Sequence, residues 1–225
     1  MRVLPPTVSR RGDRGAVTAR FEPDEGAPVD VTLGAPRDLL GVLDPGMTAF
    51  LPMAAVAAAA RGEDLELLAA VSPAVLAGTE RNLATMAGWW GWRVPRITAE
   101  RAEPAVAEPD RGTGLFFTRG IDSWSSLLTL QAEGAGPTHL LTIRDVELPR
   151  DADTHAEVLA ETQRVAAQLG LPLVELSTDA RELLDRIEDW PRTHGAVLAG
   201  FALLLRPLLA RVYVCLLYTS PSPRD

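Results

Sequence analysis

The sequence predicts an α/β protein, in which a parallel-sheet α/β domain follows a small α+β domain. Three observations predict it. From about residue 114 onward, short apolar runs alternate with helix-length amphipathic segments, the pattern of parallel strands joined by right-handed crossovers. Before residue 100, short alternating strands are separated by turn residues and mixed with helices of high propensity. Between them, residues 99–113 carry Pro104, Pro109, Gly112 and several charges, the composition of a linker. The expected organisation is 1–100 as the small domain, 101–113 as linker, 114–214 as the α/β domain and 215–225 as a separate tail.

Composition bounds the function. With 225 residues the chain can bury a substantial core, and 47% hydrophobic with 23% charged residues is ordinary for a soluble globular protein. All 22 basic residues are arginine, the coding bias of a GC-rich bacterial genome, so neither a Schiff-base lysine nor a lysine general base is present. A net charge of -8 argues against a nucleic acid duplex as partner, because such binding rests on neutralising phosphates. The first twenty residues, with Arg2, Arg10, Arg11, Arg14 and Arg20, are the exception and read as a solvated, partly disordered arm. One cysteine, Cys215, excludes an internal disulfide and a multi-cysteine metal site and points to a reducing, cytoplasmic compartment. No secretory signal opens the chain, and the apolar segment Ala196 to Leu217 is interrupted by Arg206, Pro207 and Arg211, so no membrane span is expected.

Taken in order, Val17 to Phe21 and Val29 to Leu33 alternate as strands around the turn Pro23-Asp24-Glu25-Gly26. Asp44-Pro45-Gly46 is a second turn. Met47 to Arg61 is an Ala-rich helix whose small side chains allow close packing on a sheet, and Gly62 ends it. Leu65 to Val71 is a strand; Ser72-Pro73 starts a helix, with a capping hydroxyl and proline at the first helical position, that runs to about Trp90. Trp89, Trp90 and Trp92 cluster at its end and read as packing between domains, with ligand stacking as the alternative. Val94 to Thr98 closes the small domain.

In the second part Leu115 to Phe117 suits a buried strand, and Ser123 is placed to cap a helix from Trp124 through Leu130. His139 to Ile143 is a strand, Asp151 to Leu169 a long helix ended by Gly170, and Leu171 to Leu176 a strand. Ser177-Thr178-Asp179 caps a short helix, Ala180 to Trp190; a helix from about Gly195 to Leu209 and a strand at Val212 to Val214 follow. In such sheets ligands bind at the carboxyl ends of the strands, where Thr118 to Ser123 falls.

That strand, loop and helix gather backbone N–H groups and the positive end of a helix dipole around one small volume, which favours an anion; Gly120 allows positive φ and close approach of a ligand. A tight turn with no ligand has the same local pattern. The residues Thr118-Arg119-Gly120-Ile121-Asp122-Ser123 resemble the Ser-Gly-Gly-x-Asp-Ser pyrophosphate loop of the PP-loop (N-type) ATP pyrophosphatases, a HUP/Rossmann-like superfamily that includes asparagine synthetase, NAD synthetase and the queuosine-precursor synthase. Gly120, Asp122 and Ser123 agree, Thr118 keeps the first hydroxyl, and Arg119 replaces a glycine. Arginine there is strained if the loop needs positive φ, which would mark decayed catalysis; alternatively its guanidinium adds a bidentate phosphate contact.

The resemblance covers roughly residues 112–214 and implies an ATP-binding domain that, with Mg²⁺, adenylates a carboxylate-type small-molecule substrate and releases pyrophosphate. It implies that loop amides with the Thr118 and Ser123 hydroxyls hold phosphates, that Asp122 fixes the loop or contacts the metal indirectly, and that Arg119 pairs with phosphate or marks lost activity. It places adenine against Leu141-Thr142-Ile143-Arg144 at the end of the second strand, and gives His194, ahead of a helix, a possible place beside the nucleotide. Asp145 and Glu147 are a magnesium pair or loop residues; Ser125 and Ser126 are helix-face residues. A non-catalytic nucleotide-binding or interaction protein of the same fold is the alternative, and an unrelated flavodoxin-like module a third. A homo-oligomer stays open. Finally, residues 215–225 break the preceding composition and resemble a translated sequencing-adapter tail, which implies that the natural protein continues beyond Val214.

Overall fold

The computed structural model describes residues 1–102, 110–144 and 152–215. The chain is α/β, and it divides into two compact units: Met1–Arg111 with Leu176–Leu209, and Gly112–Glu175 with the residues from Ala210 onward. The boundary near residue 111 falls where the composition shifts. The assignment of Leu176–Leu209 to the first unit differs from the expected 114–214 domain.

The first unit holds strands β1 (Arg2–Val3), β2 (Thr7–Arg11), β3 (Arg14–Glu22) and β4 (Val29–Pro36), helix α1 (Leu51–Arg61), β5 (Leu65–Val71), α2 (Pro73–Trp90) and β6 (Ile97–Arg101). β2, β3 and β4 form an antiparallel meander; β1 is antiparallel to β3 and parallel to β5, and β5 is parallel to β6. The arm expected over the first twenty residues is therefore sheet. Period-2 alternation wins there: Val17, Ala19 and Phe21 point inward, and two arginines of the same strand find partners, Arg14 with Ser177 Oγ at 2.9 Å and Arg20 with Asp30 at 3.2 Å.

A 3₁₀ turn over Met47–Ala49 precedes α1, which is shorter than the Met47–Arg61 helix expected. Its alanines are nearly all buried, and Gly62 ends it in the left-handed region at φ 70°. β5 has the bounds read from sequence, and α2 starts at Pro73 as expected, but Ser72 makes no side-chain cap; its N–H instead donates to the buried Thr48 hydroxyl at 3.1 Å. The tryptophans at the end of α2 meet partners within the same unit: Trp92 Nε1 donates to Glu188 at 3.0 Å, and the Arg192 guanidinium lies 5.8 Å from the Trp90 ring. Most of the linker, residues 103–109, lies outside the described residues.

The later segment of this unit explains the discontinuity. β9 (Leu173–Thr178) ends by pairing antiparallel with β4, Leu33 to Thr178 and Gly34 to Ser177. α5 (Ala180–Leu184) and α6 (Trp190–Leu204) follow, the latter starting earlier and ending earlier than the 195–209 helix expected. Asp179 makes no cap; its carboxylate accepts the Thr32 N–H at 2.6 Å. α6 packs closely on the Met47–Arg61 segment: a Cβ on Gly200 would come 2.8 Å from the Ala49 carbonyl oxygen. Val29–Pro36 offered an open edge and α1 an apolar face; both were filled from 176–204, which no local pattern could reveal.

The second unit contains β7 (Gly112–Phe116), α3 (Ile121–Ala132), β8 (His139–Arg144), α4 (Ala152–Leu169), the start of β9 and most of β10 (Leu209–Tyr213), in strand order β10-β7-β8-β9. β7 and β8 are parallel, Leu115 opposite Leu140 and Phe116 opposite Leu141. The core is Leu115, Phe117, Leu127, Leu130, Leu140 and Ala166, with Trp124, Val165, Leu169, Leu173 and Tyr213 packed against it. The Cys215 thiol donates to the Phe116 carbonyl at 3.3 Å; residues 216–225 lie outside the described residues.

Candidate functional site

The candidate site is built at the carboxyl ends of β7 and β8 in the second unit. After the buried Phe117 the chain turns through Thr118, Arg119 and Gly120 into α3, whose first helical residue is Ile121. The helix thus begins three residues before the predicted Trp124, and Gly120 occupies the cap position with extended backbone, φ −65° and ψ 161°. The predicted Ser123 cap does not form. Ser123 is buried in the first turn, and its hydroxyl donates to the Gly120 carbonyl at 2.8 Å, the same carbonyl that accepts the Trp124 N–H. The first-turn amides of Ile121, Asp122 and Ser123 precede that first intrahelical bond, so the helix end presents N–H groups with a positive dipole.

The conformational freedom expected of Gly120 is used one residue earlier. Arg119 is the one non-glycine with positive φ among the described residues, at φ 65°. The chain reverses from strand to helix at this residue, which leaves Gly120 free to be extended. An L-residue in the left-handed region costs roughly 1–2 kcal/mol, so the strain anticipated for arginine at a glycine position is present. Its guanidinium pairs with Glu161 of α4, while its Nε is buried with no hydrogen-bond partner. Thr118 is exposed, its hydroxyl weakly accepting the Gly120 N–H at 3.4 Å. Asp122 is half-buried, Ser126 likewise, and Ser125 is exposed on the helix face.

Thr142 of β8 is fully buried, and its Oγ1 has no partner. His194 belongs to the first unit and lies inside α6 rather than ahead of it, with Nδ1 3.2 Å from the Trp190 carbonyl and its ring 6.0 Å from the Trp190 ring. Helix α6 starts at Trp190-Pro191, proline at the first turn being a stronger start than Gly195. Asp145 and Glu147 lie outside the described residues.

Two residues missed in the sequence join this end of the sheet. His155 in α4 is 6% exposed and neither ring nitrogen has a hydrogen-bond partner; Nε2 stands 3.6 Å from a carboxylate oxygen of Glu175 in β9. The signal was available: His155 shares a helix face with Leu159, Thr162 and Ala166, at spacings of four, seven and eleven. A histidine on an apolar face passes as ordinary until its partners are seen.

The face shared by α4 and the sheet therefore changes character along the strands. Near the strand starts Ala166 and Leu169 cover Leu140 and Leu173. Two residues further along each strand, alternation brings Thr142 and Glu175 to that same face, where α4 places His155. Apolar burial gives way to polar groups further along the strands, at Thr142 toward the carboxyl end of β8, the usual side for ligand sites in α/β sheets, and at Glu175 midway along β9.

Among the described residues no group of three or more His, Cys, Asp or Glu is arranged to hold a metal ion, and no helix is long and apolar enough to cross a membrane. Comparison with protein-family models, with curated proteins and with solved structures finds no match.

Proposed function

We propose that the second unit binds an adenine nucleotide, with phosphates at the loop Thr118–Ser123 and the nucleoside directed toward the ends of β8 and β9. The observation that carries this reading is the conjunction of the α3 N-terminus, with its free first-turn amides, and unpartnered buried polar atoms at the adjoining strand ends. A phosphate group is an acceptor only, so the donors it needs are the amides of Ile121, Asp122 and Ser123; the Ser123 proton is already given to Gly120. The full PP-loop reading adds adenylation of a carboxylate-type small molecule with release of pyrophosphate. Mg²⁺ would supply charge neutralisation of the leaving pyrophosphate. It commonly takes one or two carboxylates along with phosphate oxygens and water, and Asp122 is the carboxylate on this loop.

One observation favours the second reading, nucleotide binding without catalysis. Arg119 holds a left-handed conformation where the resembled motif has glycine, and its charge is committed to Glu161. Glycine there would leave the loop unstrained and let phosphate approach the backbone.

Calorimetry with ATP·Mg²⁺, coupled to a pyrophosphate-release assay, tests both. Asp122→Ala is expected to weaken binding at least several-fold if the nucleotide sits at this loop. Pyrophosphate release by the natural sequence supports the ligase reading; binding without release supports the second. No ATP binding by any form would overturn both.

A further inference from the structure

Among the described residues of the second unit, His155 is the one side chain with two buried polar atoms lacking a hydrogen-bond partner. It is 6% exposed, both ring nitrogens lack hydrogen-bond partners, and a Glu175 carboxylate oxygen is 3.6 Å from Nε2, beyond hydrogen-bond range. Thr142, on the same sheet face in the neighbouring strand, carries a third orphaned buried group, its hydroxyl, at 0% exposure. The backbone bond from Leu140 N–H to the Pro172 carbonyl sets Leu140 beside Leu173, so Thr142 and Glu175, two residues on in each, are neighbours across the β8–β9 pair. Leaving a buried donor or acceptor unpaired costs about 1–3 kcal/mol each. Thr142 lies beside Glu175 in the sheet and His155 lies against Glu175 from α4, so the unpaired groups border one carboxylate, an arrangement that an incoming polar group completes.

The chemistry of that group follows from the donors and acceptors. Neutral histidine offers one donor and one acceptor, a carboxylate accepts only, and a threonine hydroxyl does either. An oxygen placed at ordinary hydrogen-bond distance from both His155 Nε2 and the Glu175 carboxylate fits a 3.6 Å separation, accepting from the imidazole and donating to the carboxylate. A hydroxyl does both at once; a phosphate oxygen cannot donate. Glu175 is also the opening of the cluster, its side chain 22% exposed against 7% for His155.

We infer that Thr142, His155 and Glu175 form a diol-binding subsite that takes the ribose of the nucleotide, one hydroxyl bridging His155 and Glu175 and its neighbour bonded to Thr142. This rests on the nucleotide reading, and it adds residues from α4 and β9 that the loop motif does not contain. The division of chemistry is consistent: donors at the α3 N-terminus for the phosphates, and a carboxylate, an imidazole and a hydroxyl for the sugar.

The test compares ATP with 2′,3′-dideoxy-ATP by calorimetry on the full chain, in the natural sequence and in Glu175→Gln and His155→Gln. The natural sequence is expected to bind ATP roughly tenfold or more tightly than the dideoxy analogue, the worth of one or two hydrogen bonds to a charged group. Each variant should lose most of that preference while keeping its dideoxy-ATP affinity, which also serves as the control for folding. Equal affinity for the two nucleotides in the natural sequence overturns the subsite and leaves the phosphate reading standing; so does a preference that survives both substitutions. Adenosine is the second probe. Adenosine binding that Glu175→Gln weakens, with no added affinity for ATP, supports the diol subsite and removes the phosphate site. If neither adenosine nor ATP binds, the cluster holds ordered water only and both readings fall.

Discussion

Thr48 in the first unit and Thr142 in the second are both buried threonine hydroxyls, and their situations are opposite. Thr48 accepts the Ser72 N–H at 3.1 Å, tying the turn before α1 to the start of α2. Thr142 has no hydrogen-bond partner, and neither has the His155 ring. Charge does not separate the units in this way: Arg111 of the first and Arg119 of the second each leave a buried Nε unpaired while the rest of the guanidinium is engaged, by the Arg206 carbonyl at 2.8 Å and by Glu161 respectively. A satisfied interior is what stability alone selects; the unpaired Thr142 and His155 groups of the second unit are what the proposed binding role would account for.

Substitutions can sharpen or break this contrast. The largest effect is expected at Gly200→Leu, which drives a side chain into the Ala49 carbonyl and the Met53 side chain; a loss of about 3 kcal/mol by urea denaturation fits overpacking of that interior. Thr48→Val comes next, at about 2 kcal/mol, because the Ser72 N–H is then left buried and unpaired. Thr142→Val should leave stability unchanged or raise it by up to about 1 kcal/mol, since it removes a hydroxyl that had no partner to lose. Equal losses at the two threonines would erase the distinction drawn between the units. Arg119→Gly trades left-handed strain against the Glu161 pair and added chain entropy, so its net effect on stability should stay within about 1 kcal/mol.

The smallest difference concerns pH. Burial holds His139, in β8, below its ordinary value of 6.5, so the folded state binds that proton less readily than the unfolded one. Its contribution is present above 6.5 and is lost as pH falls from there toward the lowered value. In the first unit Glu188 is held low by the Asp189 N–H, with Trp92 and Arg192 assisting, and its contribution is lost only as pH falls through the carboxylate range. His139→Gln should flatten the upper part of an acid-denaturation profile and leave the lower part in place; an unchanged profile would remove burial of His139 as its cause.

Local chemistry made much of this fold legible. Leu65–Val71, the Gly62 terminus, Pro73 and the strand, loop and helix around Gly120 all follow from period, proline and glycine over a few residues. What failed to show was pairing across distance. Nothing within Leu173–Thr178 states that its end will meet β4, and nothing in the helix containing His155 states that Glu175 will face it. The start of α3 was misread for a different reason. Ser123 has capping chemistry, but an extended Gly120 with Pro-free residues after it allowed the helix to begin earlier, and the serine bonded backward instead.

The division of the first unit has a consequence for how the protein is made. Its β4 edge and its α1 face wait for residues 176–204, more than 60 positions beyond Arg111, so during synthesis the amino-terminal segment leaves the ribosome without α6 or the end of β9. Until then an Ala-rich helix and the second edge of a strand paired only with β3 are open to other chains, the circumstance in which nascent proteins aggregate or recruit chaperones. A polypeptide ended at Arg111 would remain in that state permanently, and slow growth or cooling during expression should favour recovery of the whole chain more than of that fragment.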